Sequence, residues 1–460
     1  MNISIPKVDQ KWLVLIAIGA STFMSALDTS VVNIVLPVIN QTFGSDIATV
    51  EWVVTIYLLI VSGLLLSFGR LGDMRGHKSV FLIGFTIFIT SSALCGWAPS
   101  IAALIAFRGL QALGAAMLAS NSPAILTKNF PASQRGQALG LQATMTYLGL
   151  TAAPSLGGWL TDLISWRSVF YINVPVGLIA FILSWKFIPQ DRKTEKQERF
   201  DLLGAGVFLG GLIALLLGLN QGYAWGWTSL PILSLIIISG FFLAIFIIVE
   251  TRSPSPMLDL TLFKNRVFSA STISALLNYI AVFSILLLLP FYLIQGREFS
   301  PSQAGLILSI QPIIMAIIAP ISGGISDRIG TRIPSILGML TLSLGLILLS
   351  RLGPDSAIYE IGIALGIVGL GTGTFISPNN SAIMGSAPGE RQGIAAGILA
   401  TARSTGMVLG VGLAGAIFTT ILAGSIGENT IYAATRASFI IAAILAAIGA
   451  FTSAVKKLGI

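Results

Sequence analysis

The chain has 460 residues, 55% hydrophobic and only 10% charged, where a soluble domain carries about 25% charged residues. A chain this apolar, with a mean hydropathy of +0.90, cannot hide its surface in one water-soluble core and needs the bilayer as solvent. The net charge of +8 sits mostly in short loops rather than in a nucleic-acid-binding patch, and with one cysteine (Cys95) and one histidine (His77) an intrachain disulfide is excluded and metal or Cys/His chemistry has almost no raw material.

The first apolar run, Trp12 to Val38, is too long for a signal-peptide core and contains Asp28, so it reads as a membrane helix. With about 20 apolar residues needed per crossing, spans are predicted near 12–36, 50–69, 79–98, 101–123, 137–160, 167–188, 202–220, 230–250, 268–293, 303–323, 333–350, 357–378, 393–422 and 432–454. The expectation is an all-α membrane protein with 14 transmembrane helices. Of the 26 Lys and Arg, 20 fall in one set of alternate loops, including Lys7, Arg192, Lys193, Lys196, Arg199, Lys456 and Lys457. Four (Arg167, Arg297, Arg351, Arg436) fall at the other side, and two, Arg108 and Arg403, lie within spans. That bias predicts a multi-pass protein of the cell inner (plasma) membrane with both termini cytoplasmic.

The loop after span two, Gly69-Arg-Leu-Gly72-Asp73-Met-Arg75-Gly76-His77-Lys78, recurs 254 residues later as Gly323-Gly-Ile-Ser-Asp327-Arg-Ile-Gly330-Thr-Arg332. Pro131-Ala-Ser-Gln-Arg135-Gly similarly recurs as Pro388-Gly-Glu-Arg391-Gln-Gly. The repeat predicts two six-helix halves with two extra helices between them, a 6+2+6 order. Its expected boundaries are 1–189 for the N-terminal bundle, 190–267 for a charged linker plus spans seven and eight, and 268–460 for the C-terminal bundle.

Asp28 lies about 16 residues into span one, roughly 24 Å from its inner edge, and is the only acid well inside a predicted span. A carboxylate at that depth is costly and is a functional-site hypothesis by default. Burial favours its neutral form, which suits a group that takes up and releases a proton. Arg108, in Arg108-Gly-Leu-Gln111-Ala-Leu-Gly114, lies roughly 12 Å below the outer face of span four. Depth alone leaves open whether the two touch, and each has a structural alternative: a helix-capping Asp, or an Arg tied to carbonyls. In the repeated loop, glycine permits a tight turn and Asp73 can face a helix N-terminus or a basic partner. Span five holds Gly140 and then Gly149-Leu-Thr-Ala-Ala153-Pro154-Ser-Leu-Gly157-Gly158; its proline bends the helix and its glycines allow close packing. The stretch around Trp166 and Asn173 reads as a packing element, Glu51 as a solvated acid at the outer edge of span two, and His77 as the basic end of its loop.

These motifs occur together and in order, and over essentially the whole chain the sequence resembles the major facilitator superfamily, in particular the fourteen-helix drug:proton antiporters of the EmrB/QacA type. The resemblance starts with Leu27-Asp28-Thr-Ser-Val-Val-Asn33-Ile-Val-Leu-Pro37, similar to the family's first-helix signature. It implies proton coupling at Asp28 and Arg108, and a gating role for Gly72, Asp73, Arg75 and Gly76 with Asp327 and Gly330. It also implies an antiporter motif at Gly149, Pro154, Gly157 and Gly158, where Ala153 replaces the family's Gly; in the second gating loop Ile329 stands in place of a basic residue equivalent to Arg75. Candidate substrate-cavity residues are Asn33, Gln111, Asn278, Tyr279, Gln311, Asn380 and Arg403, each with a helix-packing alternative. The implied protein is no enzyme. It has no cofactor, metal or catalytic residue, acts as a monomer on a small molecule and protons, sits in the lipid bilayer and binds no nucleic acid. Rival readings are an exporter of one endogenous lipid or metabolite, and a non-transporting membrane sensor with the same fold.

Overall fold

The structure, a computed structural model, describes residues 9–131, 134–190, 202–252, 260–388, 391–424 and 430–455. Lys7, Lys456, Lys457 and the charged linker residues 191–201 lie outside these, as do 132–133 and 389–390 of the Pro131 and Pro388 repeats. In chain order the helices are α1 (Gln10–Phe43), α2 (Ile47–Arg75), α3 (His77–Trp97), α4 (Ile101–Asn129), α5 (Arg135–Leu163), α6 (Ser168–Tyr171), α7 (Asn173–Phe187) and α8 (Leu202–Trp225). They continue as α9 (Leu230–Arg252), α10 (Arg266–Phe291), α11 (Pro301–Leu308), α12 (Ile310–Ile329), α13 (Arg332–Leu349), α14 (Ile358–Ser386), α15 (Gln392–Gly424) and α16 (Thr430–Ala454). Among the described residues there is no strand, as a bilayer requires of a chain that closes no barrel.

Thirteen stretches are long and apolar enough to cross a membrane, with α6–α7 and α11–α12 each forming one stretch. The remaining expected span, α5, is 29 residues long, ample for a crossing at 1.5 Å per residue. Its glycines, threonines and glutamines make it less apolar than the rest. It packs along α1 on one side and α11 on the other, so part of its surface meets protein instead of lipid.

Several helices outrun the apolar runs that predict them: α2 ends at Arg75 and α4 at Asn129, where spans to 69 and 123 are expected. Hydrophobicity measures only the buried length of a helix, and polar turns at its ends extend it into the headgroup region. Side-chain caps begin several helices: Asp46 accepts from Thr49 N at 2.6 Å, and Ser300 and Gln303 form a reciprocal capping box. Gly76 and Gly330 end α2 and α12 at φ 95° and 83°, a region that disfavours any side chain. Two matched loops thus share one turn, 254 residues apart.

The repeat is also a repeat of packing. α1 with α5, α3 with α4, and α2 with α4 in the first half correspond to α10 with α15, α13 with α14, and α12 with α14 in the second. The same glycine device serves both: Gly149 lies against Phe23 O of α1, and Gly406 against Leu276 O of α10. The helices α8 and α9 pair with each other, and α8 touches α2 and α15. In α1 72% of the most apolar window is buried, in α9 17%, which puts α1 at the centre and α9 against lipid.

The halves meet at the end of the bundle where α1 leads into α2, called here the far end. Three hydrogen bonds join 9–187 to 266–454 there: Gln295 Nε2 to Asn40 Oδ1 (3.0 Å), Ser302 N to Asp162 Oδ2 (2.9 Å) and Ser155 Oγ with Ser309 Oγ (2.7 Å).

Two expectations need correction. Glu51 is not solvated; it is 2% exposed, because α15 and α8 cover the start of α2. His77 does not belong to a solvated loop either. It is the first residue of α3, buried, and bonded to Asn121 of α4.

Candidate functional site

Asp28 and Arg108 are in contact. Arg108 Nη1 donates to Asp28 Oδ2 at 2.8 Å, with the two residues 1% and 0% exposed. The other carboxylate oxygen, Oδ1, accepts from Gln111 Nε2 (3.0 Å) and from Asn173 Nδ2 (2.7 Å). Arg108 also donates from Nη1 to Gln111 Oε1 (2.6 Å) and from Nε to Val53 O (3.0 Å), while Gln111 Nε2 reaches Ser92 Oγ (2.7 Å). The guanidinium carbon stands 4.1 Å from the Tyr57 ring centroid and 5.8 Å from that of Phe170. Five helices converge here: α1 brings Asp28, α2 Tyr57, α3 Ser92, α4 Arg108 and Gln111, and α7 Asn173. The approach of α4 to α3 depends on Gly114, whose Cβ would lie 2.6 Å from Phe88 N.

A buried ion pair survives only if its remaining donors and acceptors are satisfied. Here the carboxylate has three donors and the guanidinium three acceptor groups, so the cluster is neutral and internally bonded. A proton added to Asp28 would cancel one charge, leave Arg108 unpaired and put a donor where Gln111 and Asn173 also donate. One protonation event thus weakens contacts that tie α1 to α4 and α7.

Gln111, expected in the substrate cavity, lies in this cluster. Asn33, one turn beyond it, donates to Thr29 O (2.9 Å) while its buried Oδ1 has no hydrogen-bond partner. Asn173 and Ser92 were invisible as site residues in sequence. Asn173 stands within a few residues of the far-end start of its span, at the depth of Arg108; that was the one available signal.

At the near end, Asp73 is exposed and its Oδ1 lies 3.2 Å from His77 Nε2. The His77 imidazole, with Lys128 and Arg70 adding positive charge, holds the Asp73 carboxyl below the usual range against the opposing effect of burial. Asn121 Nδ2 donates to Met117 O and Phe68 O, and its Oδ1 lies 2.8 Å from His77 Nδ1. Gly72 is required where these meet, since its Cβ would lie 2.5 Å from His77 Nδ1. Lys78 Nζ donates to Trp185 O (2.8 Å) and Ile188 O (2.5 Å), tying α3 to the end of α7. Arg75 is exposed in the last turn of α2. In the second loop Asp327 is exposed and makes no ion pair among the described residues, and Gly330 N donates to Ser326 O at 2.9 Å.

The α5 motif divides by face. Gly149 and Gly157 meet α1, at Phe23 O and Val31 Cγ2, within one half. Gly158 lies on the Pro301 carbonyl of α11, and Gly305 of α11 lies on the Pro154 carbonyl, so that here the backbones of opposite halves touch.

In the second half, Arg403 stands 5.6 Å from the Tyr279 ring. Tyr147 of α5, not anticipated from sequence, is within electrostatic reach of both, making a cationic, aromatic cluster between the halves. Asn278 is buried against Met339 Sδ at 3.5 Å. Gln311 is buried beside α14, and Asn380 is partly buried on it, so the structure does not gather all the expected cavity residues into one set.

The profile of the Major Facilitator Superfamily matches residues 18–201, 196–411 and 271–457. The chain is 35% identical over 433 residues to a riboflavin transporter of Clostridioides difficile, covering 94% of this chain and 93% of that protein. It is 34% identical over 415 residues to a multidrug resistance protein of Mycobacterium tuberculosis, and 31% over 406 to a tetracenomycin C resistance and export protein of Streptomyces glaucescens. Those two alignments cover 90% and 88% of this chain, but 77% and 76% of the relatives. Among solved structures, the inward-facing, unoccupied bacterial homologue of the lysosomal transporter Spinster superposes with a TM-score of 0.68 at 14% identity, over 98% of this chain and 97% of that one. The peptide transporter POT gives 0.69 at 16% identity, over 96% and 97%. The chain belongs to the Major Facilitator Superfamily.

Proposed function

We propose that this superfamily member is a proton-coupled antiporter of the fourteen-helix drug-export type, expelling amphipathic or cationic compounds by alternating access. The fourteen spans are the thirteen apolar stretches plus α5, in a 6+2+6 order: residues 1–189, a linker and α8–α9 within 190–267, and 268–460. The near end faces the cytoplasm with both termini, the membrane is the inner (plasma) membrane, and one chain is the working unit.

The observation that carries the reading is the bonded set Asp28, Arg108, Gln111 and Asn173, a proton acceptor whose neutralisation would loosen α1 from α4 and α7 within one half. Its far-end contacts give the second half a surface to rock against, through Gly158, Pro154 and Gly305, with the motif glycines letting the halves close backbone to backbone. Release of those contacts opens the far end, and the turns at Gly76 and Gly330 bound the opposite gate. Substrate would lie between, near Tyr147, Tyr279 and Arg403, whose rings suit a flat or lipophilic cation better than a small polar ion.

A second reading has its own support. The riboflavin transporter matches this chain nearly end to end, whereas the drug-resistance relatives extend beyond it. A single flat, heteroaromatic metabolite would suit the same cluster. Reconstituted protein with an internal pH dye separates the two: lipophilic cations should drive proton movement under the first reading, and riboflavin alone under the second.

A further inference from the structure

Two seams join the halves at the far end. In one, α5 and α11 close on glycine and backbone. In the other, α15 presents Gly415, 257 residues after Gly158, and what lies on it is a carboxylate: a Cβ at Gly415 would overlap the Glu51 carboxylate carbon and both of its oxygens. Glu51 is 2% exposed and its Oε1 has no hydrogen-bond partner. Its polar neighbour is Asn220 of α8, whose amide is within hydrogen-bonding reach of the carboxylate and is shared with Ala48 O (2.8 Å) and Trp52 Nε1 (2.9 Å).

Among the described residues no cation answers this acid. Of the helices packed on α2, α8 carries no charge, and α15 carries only Arg403, twelve residues or roughly 18 Å away along the helix. On α4, Arg108 is engaged by Asp28, and Lys128 is at the near end; on α3, His77 and Lys78 are at the near end; on α1, Lys11 is at the near end and Asp28 is paired. The charge that acts on Glu51 is Asp46, of the same sign. An ionised carboxylate held against a backbone without a counter-ion is far costlier than a protonated one.

We infer that Glu51 is a second proton-binding group, and that proton binding there closes the α2–α15 seam between the halves. The proton comes from the aqueous phase at the far end when the seam is open, bonds to a Glu51 oxygen, and lets the neutral carboxyl settle on Gly415. Its loss favours parting of the two helices and hydration of the carboxylate. The inference deepens the alternating-access reading, but needs neither a known substrate nor a role for Asp28.

The test places spin labels at Gln41 and Ala423, both exposed at the far end, with Cys95 changed to Ser, and measures their separation in lipid nanodiscs at pH 5.5 and 8.5. The parent protein should be short at low pH and gain a longer population at high pH, with the change retained in Asp28→Asn. Glu51→Gln should stay short at both. Gly415→Ala, whose methyl takes the place of the carboxyl, should stay long at both and serves if Glu51→Gln does not fold. A parent that does not respond to pH, a Glu51→Gln protein that responds as the parent does, a response lost in Asp28→Asn, or a short Gly415→Ala would each overturn the inference. Absence of drug-driven proton release would instead count against the transport reading and leave this result readable.

Discussion

Gly158→Ala tests whether the halves are held by backbone contact. The added methyl would fall 2.7 Å from the Pro301 carbonyl carbon and 2.9 Å from Ser302 Cα. Carbon atoms prefer about 3.5–4.0 Å, so α5 and α11 must separate by about 1 Å, and a backbone cannot swing aside as a side chain does. Overpacking of this kind costs ~1–3 kcal/mol. The gain in helix propensity from Gly to Ala applies equally to open and closed forms and cancels. A middle figure of about 2 kcal/mol shifts the closed-to-open ratio roughly 30-fold. Gly140→Ala is the matched control, on the same helix with nothing within 4 Å of its Cβ. Spin labels at Leu163 and Glu298, both exposed at the far end, should report a longer distance in Gly158→Ala and an unchanged one in Gly140→Ala. Equal distances in the two variants would refute the argument.

Arg108→Lys keeps the charge but cannot bond Asp28, Gln111 and Val53 O together, so coupled transport should fall at least tenfold and the thermal midpoint should drop; breaking a buried pair costs on the order of 3–5 kcal/mol. Asn173→Leu removes a donor from the Asp28 carboxylate, and hydrogen bonds to charged groups are worth ~1.5–3 kcal/mol; unchanged pH dependence of transport would dismiss Asn173 from the site. Asp73 is held below its ordinary 3.8 by His77, so its contribution is present above that value and lost as pH falls through the lower folded one. Acid melting curves should therefore show a small loss below about pH 4 that is absent in Asp73→Asn, small because the carboxyl is exposed to solvent.

How much was legible follows from what a sequence encodes. Apolar run length located thirteen of the expected spans because one solvent, lipid, sets one length. It misjudged ends such as Arg75 and Asn129, where helices leave that solvent. The repeat of Asp73 and Asp327 gave the matched turns because glycine at positive φ leaves a mark in any chain. Partners across helices left none. Asp28 and Arg108 could be placed by depth alone, and depth does not say which face a side chain takes. The same limit hid Asn173 and Tyr147, and it made Glu51 look solvated: the helices that bury it lie about 170 and 360 residues further on.

The central claim is that the bonded carboxylate of Asp28 couples protons to export. Its most direct test is proton release from reconstituted protein, read by a pH dye as a panel of lipophilic cations and riboflavin is added, with Asp28→Asn beside the parent. The account predicts ligand-driven proton movement in the parent and none in the variant, with both proteins folded. Equal proton movement in the two would contradict it.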